Sequence, residues 1–286
     1  MPELPEVEVI CRGLRPLVTN KAIDSAGCSG HRLRSFKGSL AGWELEGQTV
    51  QAVFRRSKHL VMLLSRDVIS LHLGMSGQLI WRASNAQMAN HTHVWFCFAD
   101  HRLDYVDPRR FGDLKRLARP TGLAPDDLMN GFRQGYWDSW LSPGLMGAEP
   151  LDEGFSADLL YKASREVQQA IKPWLMRGHV VVGVGNIYAS EALFAASIHP
   201  NRPAGRLSRQ RYKQLALEIQ NQLRAAIKAG GSTLRDFRSA HGEPGSYARA
   251  HKVYDQEGNP CPRCGRPVRR LIQAQRSSFF CPGCQR

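Results

Sequence analysis

Asp67-Val68-Ile69-Ser70-Leu71-His72-Leu73-Gly74-Met75-Ser76-Gly77-Gln78-Leu79-Ile80 alternates in polarity along most of its length. Ile69, Leu71, Leu73 and Met75 fall on one side of an extended chain, and Ser70, His72 and Gly74 on the other. A period of two marks a strand with one apolar face, so residues 67–80 read as a strand. The pattern extends both ways. Upstream, residues 48–65 hold Val50, Val53 and Phe54 and then Leu60 to Leu64, interrupted by Arg55, Arg56 and Lys58. Downstream, 93–99 and 102–106 read as a hairpin turning at Asp100-His101. Several short strands punctuated by turn residues predict an antiparallel sandwich or barrel, in a domain running to about residue 150.

Helical periods flank this region. Leu4, Val7, Cys11, Leu14 and Val18 recur at spacings of three and four, with Pro5 fit for a first turn. Residues 118–147 are rich in Pro and Gly and read as a surface insertion or interdomain connection, anchored by Tyr136, Trp137 and Trp140. From Ser156 the period returns through Leu159, Leu160, Ala163, Val167 and Ile171, and Pro173 should stop or bend that helix. Asn186 is expected to cap a helix starting at Ile187, with Gly183 and Gly185 just ahead letting backbone amides approach an anion. An ordinary tight turn would look the same. A further helix spans Ser208 to Ala229 with Gly230 as its C-cap, and 231–249 reads as a mobile loop.

The 286 residues carry a net charge of +14, and 42% are hydrophobic. The charge predicts a polyanionic partner, most often nucleic acid. No stretch approaches the ~20 apolar residues of a membrane span. A soluble, cytoplasmic protein is expected, with no membrane association. Cys11, Cys28 and Cys97 are scattered and suit small core positions or idle thiols. Cys261-x2-Cys264 and Cys281-x2-Cys284, sixteen residues apart, suit one tetrahedral zinc ion in a closed structural site. The segment between carries Arg266, Arg269, Arg270 and Arg276 and no acid. A metal-pinned hairpin bearing arginine suits a nucleic-acid groove; a metal staple with merely solvated charges is the plainer alternative.

Pro2-Glu3-Leu4-Pro5-Glu6-Val7-Glu8 allows two readings. Removal of Met1 would expose a secondary amine. An α-amino group titrates near ~8, so a useful fraction is a neutral nucleophile able to form a Schiff base, with Glu3 and Glu6 as acid/base partners. Equally, acids and Pro in a first turn simply favour a helix. Lys58, between basic residues and an apolar strand, reads as a functional lysine or a solvated strand edge, and His72 as a phosphate contact or a structural histidine. In Asp107-Pro108-Arg109-Arg110-Phe111-Gly112, a guanidinium beside a ring is what a protein would insert into a base stack.

Taken together, 2–8, Lys58, His72-Leu73-Gly74-Met75-Ser76-Gly77, the 107–112 loop, the Gly183–Glu191 turn and the terminal CxxC pair resemble the bacterial formamidopyrimidine-DNA glycosylases, over nearly the whole chain. The resemblance implies an α+β multidomain protein. It would have an N-terminal antiparallel β-sandwich with a leading helix (1–150), a helix–two-turns–helix domain (151–245) and a zinc-finger hairpin (246–286). It implies a bifunctional glycosylase and AP lyase of base excision repair, acting on oxidised purines (8-oxoguanine, formamidopyrimidines) in double-stranded DNA and at abasic sites. Such an enzyme is a monomer with one structural Zn2+, working at the bacterial nucleoid. Carried over residue by residue, Pro2 is the nucleophile at C1′, Glu3 assists ring opening and proton transfer, and Glu6 supports the N-terminus and the extruded base. Lys58 holds the phosphate beside the lesion. His72, Asn186 and Arg276 are further phosphate contacts. Met75, Arg109 and Phe111 fill the gap left by the flipped base, and Gly231 to Arg235 belongs to the loop that closes over oxidised purines. The chain departs from the family at 118–147, which is long, and at Asp255-Gln256, where Gly-Arg is common. Competing readings are an endonuclease VIII-like glycosylase for oxidised pyrimidines, a catalytically idle binder of damaged DNA, and a general zinc-ribbon module. The last leaves the N-terminus unexplained.

Overall fold

The protein is described by a computed structural model over residues 2–142, 144, 147–232 and 246–286. Helix α1 spans Leu4–Val18, and the five apolar positions picked out by their spacing are all fully buried. Pro5 sits in its first turn, where the missing N–H has no intrahelical partner to lose. Two antiparallel sheets follow. Strands β1 (Ser25–Cys28), β6 (Thr92–Phe98), β7 (His101–Val106) and β5 (Gln78–Ala83) form one in that order; β2 (Val50–Arg56), β3 (His59–Leu64), β4 (Asp67–His72) and β8 (Asp113–Ala118) form the other. A single core takes Val7, Ile10 and Leu14 from α1, Phe96 and Leu103 from the first sheet, and Leu60, Met62 and Ile69 from the second. This is the expected sandwich with its leading helix.

Three local expectations change. The strand read over 67–80 is two strands, because the chain turns after His72: Leu73 is buried but Met75 is 41% exposed. Gly74 takes φ 61° there, and a Cβ on it would lie 2.4–2.6 Å from the backbone of Phe111 and Gly112. Only glycine permits that approach. The β6–β7 hairpin turns at Ala99-Asp100, since His101 already pairs with Phe98. Residues 118–147 contain helices α2 (Pro125–Arg133) and α3 (Asp138–Leu141). Leu128 and Phe132 of α2, one turn apart, are buried, and the Phe132 ring meets Phe54 of β2 at 5.3 Å and Trp137 at 5.8 Å. Tyr136, expected as an anchor, is 73% exposed.

The chain divides into two compact units, Met1–Trp137 with Ala229–Ser246, and Asp138–Lys228 with Tyr247–Arg286. The second is built on helices α4 (Ala157–Ser164), α5 (Ile171–Leu175), α6 (Asn186–Ala195) and α7 (Arg209–Lys228) and the hairpin β9 (Arg269–Gln273)–β10 (Arg276–Phe280). Helices α4 and α6 pack on α7, and β10 packs on α6. The Ser156 hydroxyl caps α4 by accepting the Leu159 N–H at 3.1 Å. That helix ends at Ser164; Pro173 falls in the first turn of α5, where it starts a helix rather than stopping one. Helix α6 begins one residue early, at Asn186, with extended Gly185 as its cap. Gly230 takes φ 77° after α7, as a C-cap glycine should. Of the loop expected over 231–249, Ser232 bridges Ser246 and Tyr247–Ala250 is a 3-10 turn; 233–245, including Arg235, lie outside the described residues. Among the described residues no helix is long and apolar enough to cross a membrane.

Candidate nucleic-acid interface and metal cluster

The start of α1 brings the N-terminal residues of interest together. Pro2 is buried, and Glu3 and Glu6 are only 2% and 1% exposed. One Glu6 oxygen accepts the Glu3 N–H at 2.8 Å and the other accepts the Ser232 N–H at 2.8 Å. Glu6 therefore joins the first turn of α1 to the segment after α7. Pro2 leads directly into this pair of buried carboxyl groups, an arrangement suited to proton transfer beside a nucleophile.

Lys58 is the second residue of the tight β2–β3 turn, whose first residue, Ser57, takes φ 55°. Arg55 ties that turn to α1, donating to Glu8 at 3.2 Å and to the Ser57 carbonyl at 3.0 Å. Burial alone would raise the Glu8 carboxyl, but Arg12 and Arg55 hold it below the ordinary carboxylate value. His72, at the end of β4, lies against buried His59 with ring centroids 4.8 Å apart. Its Nδ1 accepts the Gly74 N–H at 3.1 Å, which leaves the proton on Nε2. Burial, then the Arg34 and Lys58 cations, push the His72 imidazolium down to about 4. His72 is therefore a neutral donor rather than a cation.

The turn after β4 and the loop before β8 present three exposed side chains. Met75 and Phe111 are 41% and 45% exposed, and the Arg109 guanidinium lies 5.0 Å from the centre of the Phe111 ring. Beneath them, fully buried Asp107 accepts the Ser76 hydroxyl at 2.6 Å and the Gly112 N–H at 2.8 Å, with the Tyr105 hydroxyl at 3.4 Å. Arg34 donates to the Phe111 carbonyl at 3.1 Å. Burial and the Asp107 carboxylate hold the Tyr105 phenol well above its usual range, so it stays protonated.

In the second unit, Asn186 and Arg276 line one cleft with Lys172, Pro173, Met176 and Ser278. Lys172 is buried, and its ammonium donates to Asn186 Oδ1 at 2.7 Å, the Ser277 carbonyl at 2.9 Å and Ser278 Oγ at 2.8 Å. Asn186 is thus oriented from below, and its Nδ2 lies 3.4 Å from the Tyr254 hydroxyl. Buried Glu191 accepts the backbone N–H groups of Lys252, Val253 and Tyr254 at 2.8–3.0 Å, fixing the strip that carries Tyr254. Asp255 follows with φ 61°, the left-handed region glycine prefers. Ser76, Asp107 and Arg34 support the exposed side chains, and Lys172 and Glu191 hold half-buried Asn186 and the strip of half-buried Tyr254; none of the five is singled out by the sequence. Ser76, Asp107 and Glu191 carry the only hint, by lying inside the quoted motifs.

The four cysteine sulfurs of 261, 264, 281 and 284 lie within 4.8 Å of one another, with Cys261–Cys284 at 3.9 Å and Cys264–Cys281 at 3.4 Å. Tetrahedral Zn–S bonds of ~2.3 Å require sulfurs ~3.8 Å apart, so the cluster fits a metal ion of that kind. Of the scattered thiols, Cys11 is fully buried, which pushes its thiol far up and makes it inert.

Comparison with known proteins fits this geometry. Three family models match in order: the formamidopyrimidine-DNA glycosylase N-terminal domain over residues 1–114, the H2TH domain of the same glycosylases over 146–238, and a zinc finger found in FPG and IleRS over 258–286. A formamidopyrimidine-DNA glycosylase from Aromatoleum aromaticum is 42% identical over 286 residues, covering all of both chains. Two solved structures of the Lactococcus lactis Fpg are similar. One, with DNA containing an abasic site, has a TM-score of 0.87 and 32% identity over 99% of each chain. The other, with DNA containing an oxidised pyrimidine, has a TM-score of 0.85 and 31% identity over 99% of each. The order of the three models marks a zinc-finger protein of the helix–two-turns–helix class. More narrowly, the chain belongs to the formamidopyrimidine-DNA glycosylase family, whose members are DNA glycosylases with AP lyase activity.

Proposed function

We propose that this chain excises oxidised purines from duplex DNA and then cuts the strand at the resulting abasic site, with Pro2 as covalent nucleophile. The observation that carries the proposal is the placement of buried Pro2 next to the Glu3–Glu6 carboxyl pair. A stacked base is out of reach, so the damaged nucleotide must leave the helix and its place must be filled. Met75, Arg109 and Phe111 are the exposed set suited to filling it. Lys58, His72, Asn186 and Arg276 serve the phosphates, and Arg235 belongs to the segment that covers the extruded purine.

With Met1 removed, the Pro2 nitrogen attacks C1′ as the glycosidic bond breaks; the bonding pair leaves with the base, which takes up the proton that the Pro2 nitrogen loses. Glu3 delivers a proton as the sugar ring opens. The resulting iminium acidifies C2′; loss of that proton expels the 3′ phosphate, and a second elimination expels the 5′ phosphate. Hydrolysis of the iminium returns Pro2 as a free amine. Cys261, Cys264, Cys281 and Cys284 would hold one structural Zn2+, which supplies rigidity to the hairpin and no chemistry. We place the protein in the bacterial cytoplasm as a monomer.

The test is borohydride trapping on duplexes carrying 8-oxoguanine opposite cytosine, with mass spectrometry of the adduct and an oxidised-pyrimidine duplex in parallel. An adduct at Pro2 favouring 8-oxoguanine is expected. An adduct mainly with the pyrimidine duplex would move the substrate class; the Lactococcus relative's complex with an oxidised pyrimidine makes that arm necessary. Tight binding without any adduct would leave a damage-binding protein.

A further inference from the structure

We propose that Asp107 is the positioning residue of the helix-filling side chains, locking the 73–77 turn and the 107–112 loop into one plate so that Met75, Arg109 and Phe111 enter DNA together. The inference rests on the function proposed above and deepens it.

The two segments are far apart in sequence, and each presents its side chains from a short irregular stretch that alone would move freely. Asp107 removes that freedom. Its carboxylate has no exposed surface and takes a donor from each segment: the Ser76 hydroxyl at 2.6 Å, next to Met75, and the Gly112 N–H at 2.8 Å, next to Phe111. Tyr105, rising from the β7 floor, adds its hydroxyl at 3.4 Å. The Asp107 carbonyl meets His93 Nε2 at 3.0 Å, and its N–H donates to the His91 carbonyl at 3.0 Å, so the residue itself cannot shift. Close contact completes the lock. A Cβ on Gly112 would lie 1.6 Å from the Tyr105 hydroxyl oxygen, as one on Gly74 would strike the 111–112 backbone. A hydrogen bond closed where no water can replace it is costly to break, so both segments are held. None of these groups needs to touch DNA.

Two variants test this. Ser76→Ala cuts one tether and leaves every exposed side chain in place. Asp107→Asn keeps both tethers, because the amide oxygen can accept from Gly112 while its N–H donates to a rotated Ser76 hydroxyl. Single-turnover excision of 8-oxoguanine from duplex DNA is compared with cleavage of a preformed abasic site, where no base has to leave the stack. Ser76→Ala should lower excision about tenfold and abasic cleavage less than threefold, while Asp107→Asn stays within about threefold of the parent in both. Excision unchanged in Ser76→Ala, an equal loss in both of its reactions, or an Asp107→Asn loss as deep as that of Ser76→Ala would each overturn the inference. A parent chain inactive in both reactions would instead overturn the proposed function, and this inference with it.

Discussion

Replacing His72 with glutamine separates two ways in which a residue can bind phosphate. A histidine near DNA is readily taken for a cation, but in this fold His72 has its Nδ1 occupied by the Gly74 N–H, lies against the buried His59 ring, and faces Arg34 and Lys58. With the imidazolium pushed down to about 4, roughly one molecule in a thousand carries the charge at pH 7. Bound phosphate would raise that fraction, yet even a shift of ~2 units leaves about nine in ten neutral at pH 7. A neutral donor releases no counterion. His72→Gln, which keeps a neutral donor, should therefore weaken binding by no more than roughly tenfold, the worth of one neutral hydrogen bond, at every salt concentration. The slope of log affinity against log salt should not change. Lys58→Met should reduce that slope by ~0.9, one phosphate's share. Fluorescence anisotropy on a duplex with a non-cleavable abasic analogue, at several salt concentrations from pH 6.5 to 8, measures both. A slope reduction near one in His72→Gln, or affinity that climbs toward pH 6.5 in the parent and not in the variant, would refute the neutral-donor argument.

The same histidine sets an acid limit. Its folded value lies below the unfolded one near ~6.5, so its contribution to stability is full above that pH and is lost as pH falls through about 4. Thermal unfolding from pH 7 to 4 should fall less steeply in His72→Gln. Removing metal with a chelator should increase amide exchange across 258–286 and abolish DNA binding while α1 and both sheets keep their protection; unchanged exchange in the hairpin would show that the metal is dispensable. Gly112→Ala should cost more than ~3 kcal/mol or fail to fold, because its Cβ would overlap the Tyr105 hydroxyl. A soluble variant with a parental unfolding midpoint would contradict that packing. Asp255→Gly should stabilise the second unit by up to ~1 kcal/mol, read as a rise of a few degrees in its unfolding, since φ 61° costs aspartate more than glycine.

The parts legible in the sequence were those governed by period or spacing. Leu4 to Val18 could make only one kind of helix, the CxxC pairs could make only one kind of cluster, and the strands from 50 to 106 paired close to where their alternation ended. What stayed hidden depended on tertiary neighbours. The end of β4 at His72 could not be read because Leu73 and Met75 keep the alternation going; Gly74 breaks it, for the sake of a loop more than thirty residues away. Helix α2 was masked by surrounding Pro and Gly, although Leu128 and Phe132 had helical spacing. Pro173 looks the same in sequence whether it ends a helix or opens one. Ser76, Arg34 and Lys172 act through contacts remote in sequence, and a buried lysine has no signature that separates it from a solvated one.

That lysine bears on how this chain could be recombined. Its ammonium grips Asn186 on one side and Ser277 and Ser278 on the other. Gln273 reaches Pro200 and Asn201, Gln285 reaches the Ile198 carbonyl, and Arg263 reaches the Phe194 and Ala195 carbonyls. The metal hairpin is thus stitched to the helices by side chains from both partners. A cassette exchanged at residue 258 would carry the cysteines intact and still take one acceptor from the buried ammonium if the incoming hairpin lacked a hydroxyl at 278. Viable crossovers should fall before α4, so that helices and hairpin are inherited as one heritable block.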